Sequence, residues 1–198
     1  MLILFGWVKT LANDQNLKYN IEQSEMEFEQ NLRYPEVKSK YHNSIVEHQS
    51  KVGKSLRNLG IQVETIRKGE ILVITIPAQQ LFEANKTELS KLAVKKLEPV
   101  FSLLKTPGFY KFLIAMHSDN TGNSLYSENL TADRAVAITD WAVSNGYPSS
   151  DIIPYSMGET SPIVPNNSMT NRATNRRLEL YIVPNTLMIN SAKTNKLK

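Results

Sequence analysis

The segment FYKFLIAM, Phe109–Met116, is apolar except for Lys111. A strand solvated on one face alternates apolar and polar residues, so this run reads as a buried central strand. Elements of suitable pattern surround it. IQVETI (Ile61–Ile66) and ILVITI (Ile71–Ile76) are β-branched runs separated by Lys68-Gly69, a hairpin signal in which glycine supplies the positive φ of the turn. Pro77 is expected to end the second run, because proline gives a ladder no N–H. Leu89, Leu92, Ala93, Leu97, Val100, Leu103 and Leu104 recur at helical spacing. Pro99 is expected to kink or interrupt that helix.

A second helix is expected from about Ser127 to Asn145, where Gly146 and Pro148 stop it. A short strand follows near Ile152–Ser156. After a loop rich in Pro, Asn and Thr, RRLELYIV (Arg176–Val183) reads as the last strand. The order gives an α+β fold, a mixed β-sheet with two main helices packed on it.

Upstream, Leu17, Ile21, Phe28 and Leu32 form one weak apolar stripe, and Pro35 interrupts it. Val37, Tyr41, Ile45, Val52, Leu56 and Leu59 form a second. These imply a helical N-terminal segment with a heavily solvated face. It reads as a spacer; the alternative is a stalk that pairs with a second copy into a homodimer, against which His48 and Ser55 break the heptad. The expected organisation is an apolar N-terminus (1–12), a helical spacer (13–60), a compact domain (61–184) and a frayed tail (185–198). MLILFGWV, Met1–Val8, is shorter than the about 20 residues that span a bilayer. It reads either as the remnant of a signal or membrane segment or as a short apolar end that packs on something. Trp7 suits a membrane interface.

With 198 residues and 41% hydrophobic content, the chain can form a real core. The net charge of +4 comes from 23 basic and 19 acidic residues without a basic stripe, so nucleic acid is not an expected partner. The absence of cysteine excludes disulfides, thiolate zinc sites and a cysteine nucleophile. It suits an oxidising compartment, and for the chain as given it leaves no cysteine for a lipid anchor. His42, His48 and His117 lack metal-ligand spacing. No Gly-x-Ser-x-Gly, Walker or dinucleotide motif occurs, so neither catalysis nor a cofactor is expected.

One residue is out of place. Arg134 lies four residues from both Leu130 and Ile138, on the face expected to be buried with Ala137, Trp141 and Ala142. A buried guanidinium needs an acceptor. Asp119, just past the central strand, is the nearest acid in a plausible loop, and the end of such a strand is where sheets with crossover helices place ligand crevices. Two arrangements satisfy this. Asp119 and Arg134 form a structural ion pair, or both face a pocket for a zwitterion, the arginine gripping a carboxylate and the aspartate an ammonium.

Several short motifs occur in order: Leu81-Phe82-Glu83-Ala84-Asn85, His117-Ser118-Asp119, Asn120-Thr121-Gly122, Tyr126-Ser127, Leu130 to Ala135, Met157-Gly158-Glu159 and Asn175-Arg176-Arg177. From about Ile71 to Val183 the chain resembles the C-terminal peptidoglycan-binding domain of the outer membrane protein A family. That family also covers the peptidoglycan-associated lipoprotein and the flagellar stator subunit.

The resemblance implies a non-catalytic domain of a diderm periplasm, bound to the wall and the outer membrane. It implies a peptidoglycan stem peptide as partner, held through diaminopimelate. Asp119 would take the ammonium and Arg134 the carboxylate; Thr121 and Asn85 would line the pocket, Arg176 would close it, and Arg177 would brace the sheet. Membrane or envelope proteins would meet the N-terminal segment. A stator-like subunit, or a sensor of amino-acid-like molecules, is the alternative. Met116 and Ser127 depart from the family, which often has glycine and asparagine there.

Overall fold

The computed structural model describes residues 21–197; Leu17 and the apolar start at Met1–Val8 lie outside them. The order of elements is α1 (Ile21–Arg33), α2 (Ser39–Asn58), β1 (Glu64–Ile66), β2 (Ile71–Pro77), α3 (Lys91–Phe101), β3 (Tyr110–His117), α4 (Ser124–Ser144), β4 (Ile152–Gly158), α5 (Met169–Asn175), β5 (Arg177–Pro184) and α6 (Thr186–Lys193). The fold is α+β. A five-stranded mixed sheet runs in the order β1-β2-β5-β3-β4. β3 pairs parallel with β4, and β5 pairs antiparallel with both β2 and β3. Residues 110–117 are buried at every position, as the unbroken apolar run requires.

The hairpin forms with Ile66 opposite Ile71, but β1 is only Glu64–Ile66, an exposed edge. Arg67, Lys68 and Gly69 all adopt positive φ at the turn. Pro77 closes β2. Ser90 caps α3 by accepting from the Ala93 N–H, and past Pro99 the helix tightens into a 3₁₀ turn at Ser102–Lys105.

Alternation splits the sheet into two faces. On one, Leu72, Ile74, Ile76, Phe112, Ile114, Met116, Leu178, Leu180 and Ile182 join the helices in the main core. On the other, Ile71, Val73, Leu113, Ala115, Tyr155, Met157 and Val183 lie beneath α1. Phe28 of α1 stands edge-on to Tyr155 and Tyr181 at 5.1 and 5.2 Å. Lys111 reaches the C-terminal end of α1, donating to Asn31 Oδ1 (3.0 Å) and the Tyr34 carbonyl (2.5 Å). Burial first, and the nearby Arg67 second, lower its pKa to about 8.

Two expectations need correcting. The described residues before Gly60 do not stand off as a solvated spacer. α2 buries Ile45, Gln49, Gly53 and Leu56, and Ile45 and Leu56 belong to the main core. Gln49 donates to the Glu70 and Ile182 carbonyls, so a polar side chain stitches the helix to the sheet, a link that an apolar stripe does not reveal. The described residues after Pro184 are not a frayed tail either. Asn185 caps α6, which buries Met188, Ile189 and Ala192. Three apolar residues at helical spacing suffice when a cap fixes the start of the helix. Among the described residues no helix is long and apolar enough to cross a membrane.

Candidate ligand-binding site

α4 begins at an Asn123 cap and docks by a seam different from the expected one. Its buried residues are Ser127, Thr131, Arg134, Ala135, Ile138 and Ala142, whereas Leu130, Ala137 and Trp141 are only partly covered. Small polar residues let the helix come close to β4. Thr131 Oγ1 lies 2.6 Å from Ser156 Oγ and accepts from the Gly158 N–H at 3.2 Å. Gly158 is needed there: its φ is +48°, and a Cβ would meet Glu128 Cγ at 3.2 Å. The face carrying Arg134 therefore turns inward.

Arg134 is 5% exposed. Its Nε donates to the Lys86 carbonyl at 2.9 Å and its Nη2 to the Glu83 carbonyl at 3.2 Å. The guanidinium lies over the Phe82 ring, 4.8 Å from its centre. Both acceptors come from one tight loop, closed by the Lys86 N–H to the Glu83 carbonyl and by left-handed Asn85 (φ +58°). Asparagine tolerates that conformation better than most residues. Asn85 thus shapes the loop with its backbone while its side chain is exposed. Among the described residues no carboxylate pairs with Arg134. Burial lowers its pKa; Tyr126 opposes that and Arg176 adds to it. Two carbonyl dipoles leave the guanidinium's unit charge unneutralised.

Asp119 is 2% exposed. Its Oδ1 accepts from the Thr121 N–H at 2.7 Å, an Asx turn that sets the loop, and its Oδ2 is held by Nη1 of Arg176. Burial pushes this carboxyl up, but the hydrogen bonds from Thr121 and Arg176 outweigh it and hold the pKa below the usual range. A direct Asp119–Arg134 ion pair, one of the two arrangements expected from the sequence, does not form. Arg176 takes its place. The site therefore holds two arginines, one carboxylate and a loop of carbonyls, with Thr121 exposed at its edge.

The same strand ends carry a second charged group on the opposite face. His117 sits opposite Arg177 in the β3–β5 register. Arg177 is 2% exposed and donates to Glu179 Oε1 (2.7 Å) and to the Asn175 and Ser161 carbonyls. Tyr181 donates to Glu179 Oε2 at 2.5 Å, and His117 Nε2 stands 3.4 Å from that oxygen. Burial raises the Glu179 pKa, but its partners His117, Tyr181 and Arg177 bring it down to about 2. Burial lowers the His117 pKa. A cavity of about 540 Å³ opens beside this group under Phe28, Met157 and Ile163. Glu179 and Tyr181 were absent from the sequence reading, although alternation along RRLELYIV places them on the face of Arg177. Among the described residues no His, Asp or Glu group is arranged to hold a metal ion.

The two residues that depart from the resembled family lie outside the pocket lining. Met116 is fully buried in the main core. Ser127 is fully buried, and its hydroxyl has no hydrogen-bond partner among the described residues.

Residues 81–176, from the loop that holds Arg134 to Arg176, match the OmpA family. The chain carries an OmpA-family domain. The matched residues include Asn85, Asp119, Thr121, Arg134 and Arg176. Over 136 residues the chain is 24% identical to "Probable lipoprotein YiaD" of Escherichia coli, covering 69% of this chain and 61% of that one. It thus spans about three-fifths of that relative's length. In structure it is similar to a MotB-like protein of Desulfovibrio vulgaris, with TM-score 0.63, 21% identity, and coverage of 72% and 98%. It is also similar to the cell wall anchor of the T6SS from Pseudomonas aeruginosa, with TM-score 0.55, 22% identity, and coverage of 71% and 96%. At these identities the likeness is one of fold.

Proposed function

We propose that this OmpA-family domain binds peptidoglycan non-covalently and tethers a periplasmic envelope component to the wall, by reversible binding without turnover. The diaminopimelate of the stem peptide is the contact, because its far end carries an ammonium and a carboxylate on one carbon. Arg134 takes the carboxylate and Asp119 the ammonium. The observation that carries the reading is the buried Arg134, held by two backbone carbonyls and an aromatic face but, among the described residues, by no acid. Such a guanidinium is completed by an arriving carboxylate, bound through charge-assisted hydrogen bonds. The loop over Asn85 and the Asx turn at Thr121 fix the two charged groups in advance, which lowers the entropic cost of binding. The OmpA-family match and the relatives described as lipoprotein and wall anchor support a tether of the outer envelope.

Cosedimentation with purified diaminopimelate-type sacculi tests this. Wild type should pellet with the sacculi, whereas Asp119→Ala and Arg134→Ala should stay in solution while keeping the far-ultraviolet circular dichroism of the folded domain. Retention of both variants on the sacculi would place the contact elsewhere.

A further inference from the structure

The acid of the proposed site is already occupied. One oxygen of Asp119 takes the Thr121 N–H and the other takes Arg176, leaving the carboxylate 2% exposed. Its remaining lone pairs are covered, so an ammonium reaches it only when a covering group moves aside. Thr121 is bound through its backbone and belongs to the turn. Arg176 is held differently. Its main chain is fixed at both ends, the N–H on the Arg172 carbonyl (3.0 Å) and the carbonyl on the Ala78 N–H (2.9 Å). Its side chain is 41% exposed, and Asp119 is its one hydrogen-bond partner among the described residues. The side chain can therefore leave by rotating into solvent while the backbone stays in place. Like charge on Arg134 also opposes keeping Arg176 where it is.

We propose that Arg176 is a specificity-determining latch: the ligand's ammonium replaces its guanidinium on Asp119, and only a ligand bearing that ammonium opens the site. The inference rests on the stem-peptide reading. A carboxylate ligand without an ammonium leaves Asp119 paired to Arg176. If its amine is acetylated, it would also bury the acid without a cation. Rejection of such ligands comes from this repulsive element as much as from any attraction. The exchange conserves charge at Asp119, so the affinity the site reaches is reduced by the strength of the ion pair it must break.

The test is calorimetric titration with L-Ala-γ-D-Glu-meso-diaminopimelate and with the same tripeptide acetylated on its free amine. Arg176→Gln should bind the free-amine peptide about two- to fivefold tighter than wild type, the size expected when a half-exposed ion pair no longer has to be broken. Arg176→Lys should fall between them. The acetylated peptide should bind none of the three. Weaker binding by Arg176→Gln, or equal binding of the acetylated peptide by wild type, would overturn the latch and leave both arginines gripping a carboxylate. If neither peptide binds any of the proteins, the stem-peptide reading itself fails, and the latch with it. Wild type alone supplies an independent check: the Arg176 Nε–Hε resonance should move on adding the free-amine peptide and stay put with the acetylated one. Movement with both, or with neither, would contradict the exchange.

Discussion

His117 and Asp119 leave the same strand two residues apart, and Arg176 and Arg177 enter the last strand as neighbours. They build two different charge clusters. On the α1 face, Arg177, Glu179, Tyr181 and His117 share partners at short range, and Arg177 spends its donors on a carboxylate and two carbonyls. On the other side, Arg134 has carbonyls but, among the described residues, no acid, and Arg176 holds Asp119 by a side chain that is 41% exposed. In the first cluster the fold itself supplies Arg177 and Glu179 with their partners, and only the His117 ring nitrogens lack a hydrogen bond among the described residues. The second, in the proposed reading, is completed by a ligand that supplies the missing carboxylate. Saturated buried charges specify a structure, and undersatisfied ones at a surface prepare binding.

The comparison breaks most directly at the arginines. Arg177→Ala should destabilise the domain by about 3–5 kcal/mol, because it leaves Glu179 buried beside no cation. Arg176→Ala should cost less, about 1–3 kcal/mol, since buried Asp119 loses one partner but keeps the Thr121 N–H, and the guanidinium removed is itself 41% exposed. Urea titration of the two variants checks both; equal losses would erase the distinction.

Acid should next expose the closed cluster. Glu179 and His117 both have lowered pKa values in the folded protein. Each therefore contributes stability that is present above its ordinary pKa and lost as pH falls. The loss begins near 6.5, the ordinary value for histidine, and continues towards about 2. The Glu179 share is on the order of 3 kcal/mol, lost below about 4.5. Glu179→Gln should flatten that lower limb in urea midpoints measured from pH 7 to 3; an unchanged slope would mean that other groups carry it.

Arg134→Lys keeps the charge at the open cluster but loses the fork. It should weaken binding of diaminopimelate-type muropeptide about tenfold, read by calorimetry, with little change in melting temperature. Undiminished affinity would show that the fork makes no contact with the ligand.

The smallest effect concerns Ser127, whose buried hydroxyl lacks a hydrogen-bond partner among the described residues. Ser127→Ala should raise stability by up to about 1 kcal/mol, seen as a higher melting temperature. A lower one would mean that the hydroxyl is satisfied in solution.

Periodicity made β2, β5 and α3 legible, and an unbroken apolar run gave β3; α4 was legible as a helix, but its buried seam of Ser127, Thr131, Arg134, Ala135, Ile138 and Ala142 was not. α5 was not legible, since MTNRATN has no apolar stripe and is fixed by the Ser168 cap and by Asn175, whose side chain bonds the backbone of residues 163 and 164. α6 was missed for its shortness, and the packing of α2 because Gln49 and Gly53 hide in a polar sequence. At the site, helical spacing alone exposed Arg134 as an anomaly. Its acceptors could not be read, because they are backbone carbonyls set by the left-handed turn at Asn85, and carbonyls carry no letter in a sequence. Asp119 was found by its place after β3, but its partner Arg176 comes from a residue 57 positions away, which only the β3–β5 pairing brings near.

The contrast between the closed and open clusters is tested most directly by a crystal structure of the domain with a diaminopimelate-type muropeptide. The account predicts the ligand's carboxylate on Arg134, its ammonium on Asp119, and Arg177, Glu179 and His117 unmoved. A muropeptide seated in the cavity beside Tyr181, or bound without touching Arg134, would contradict it.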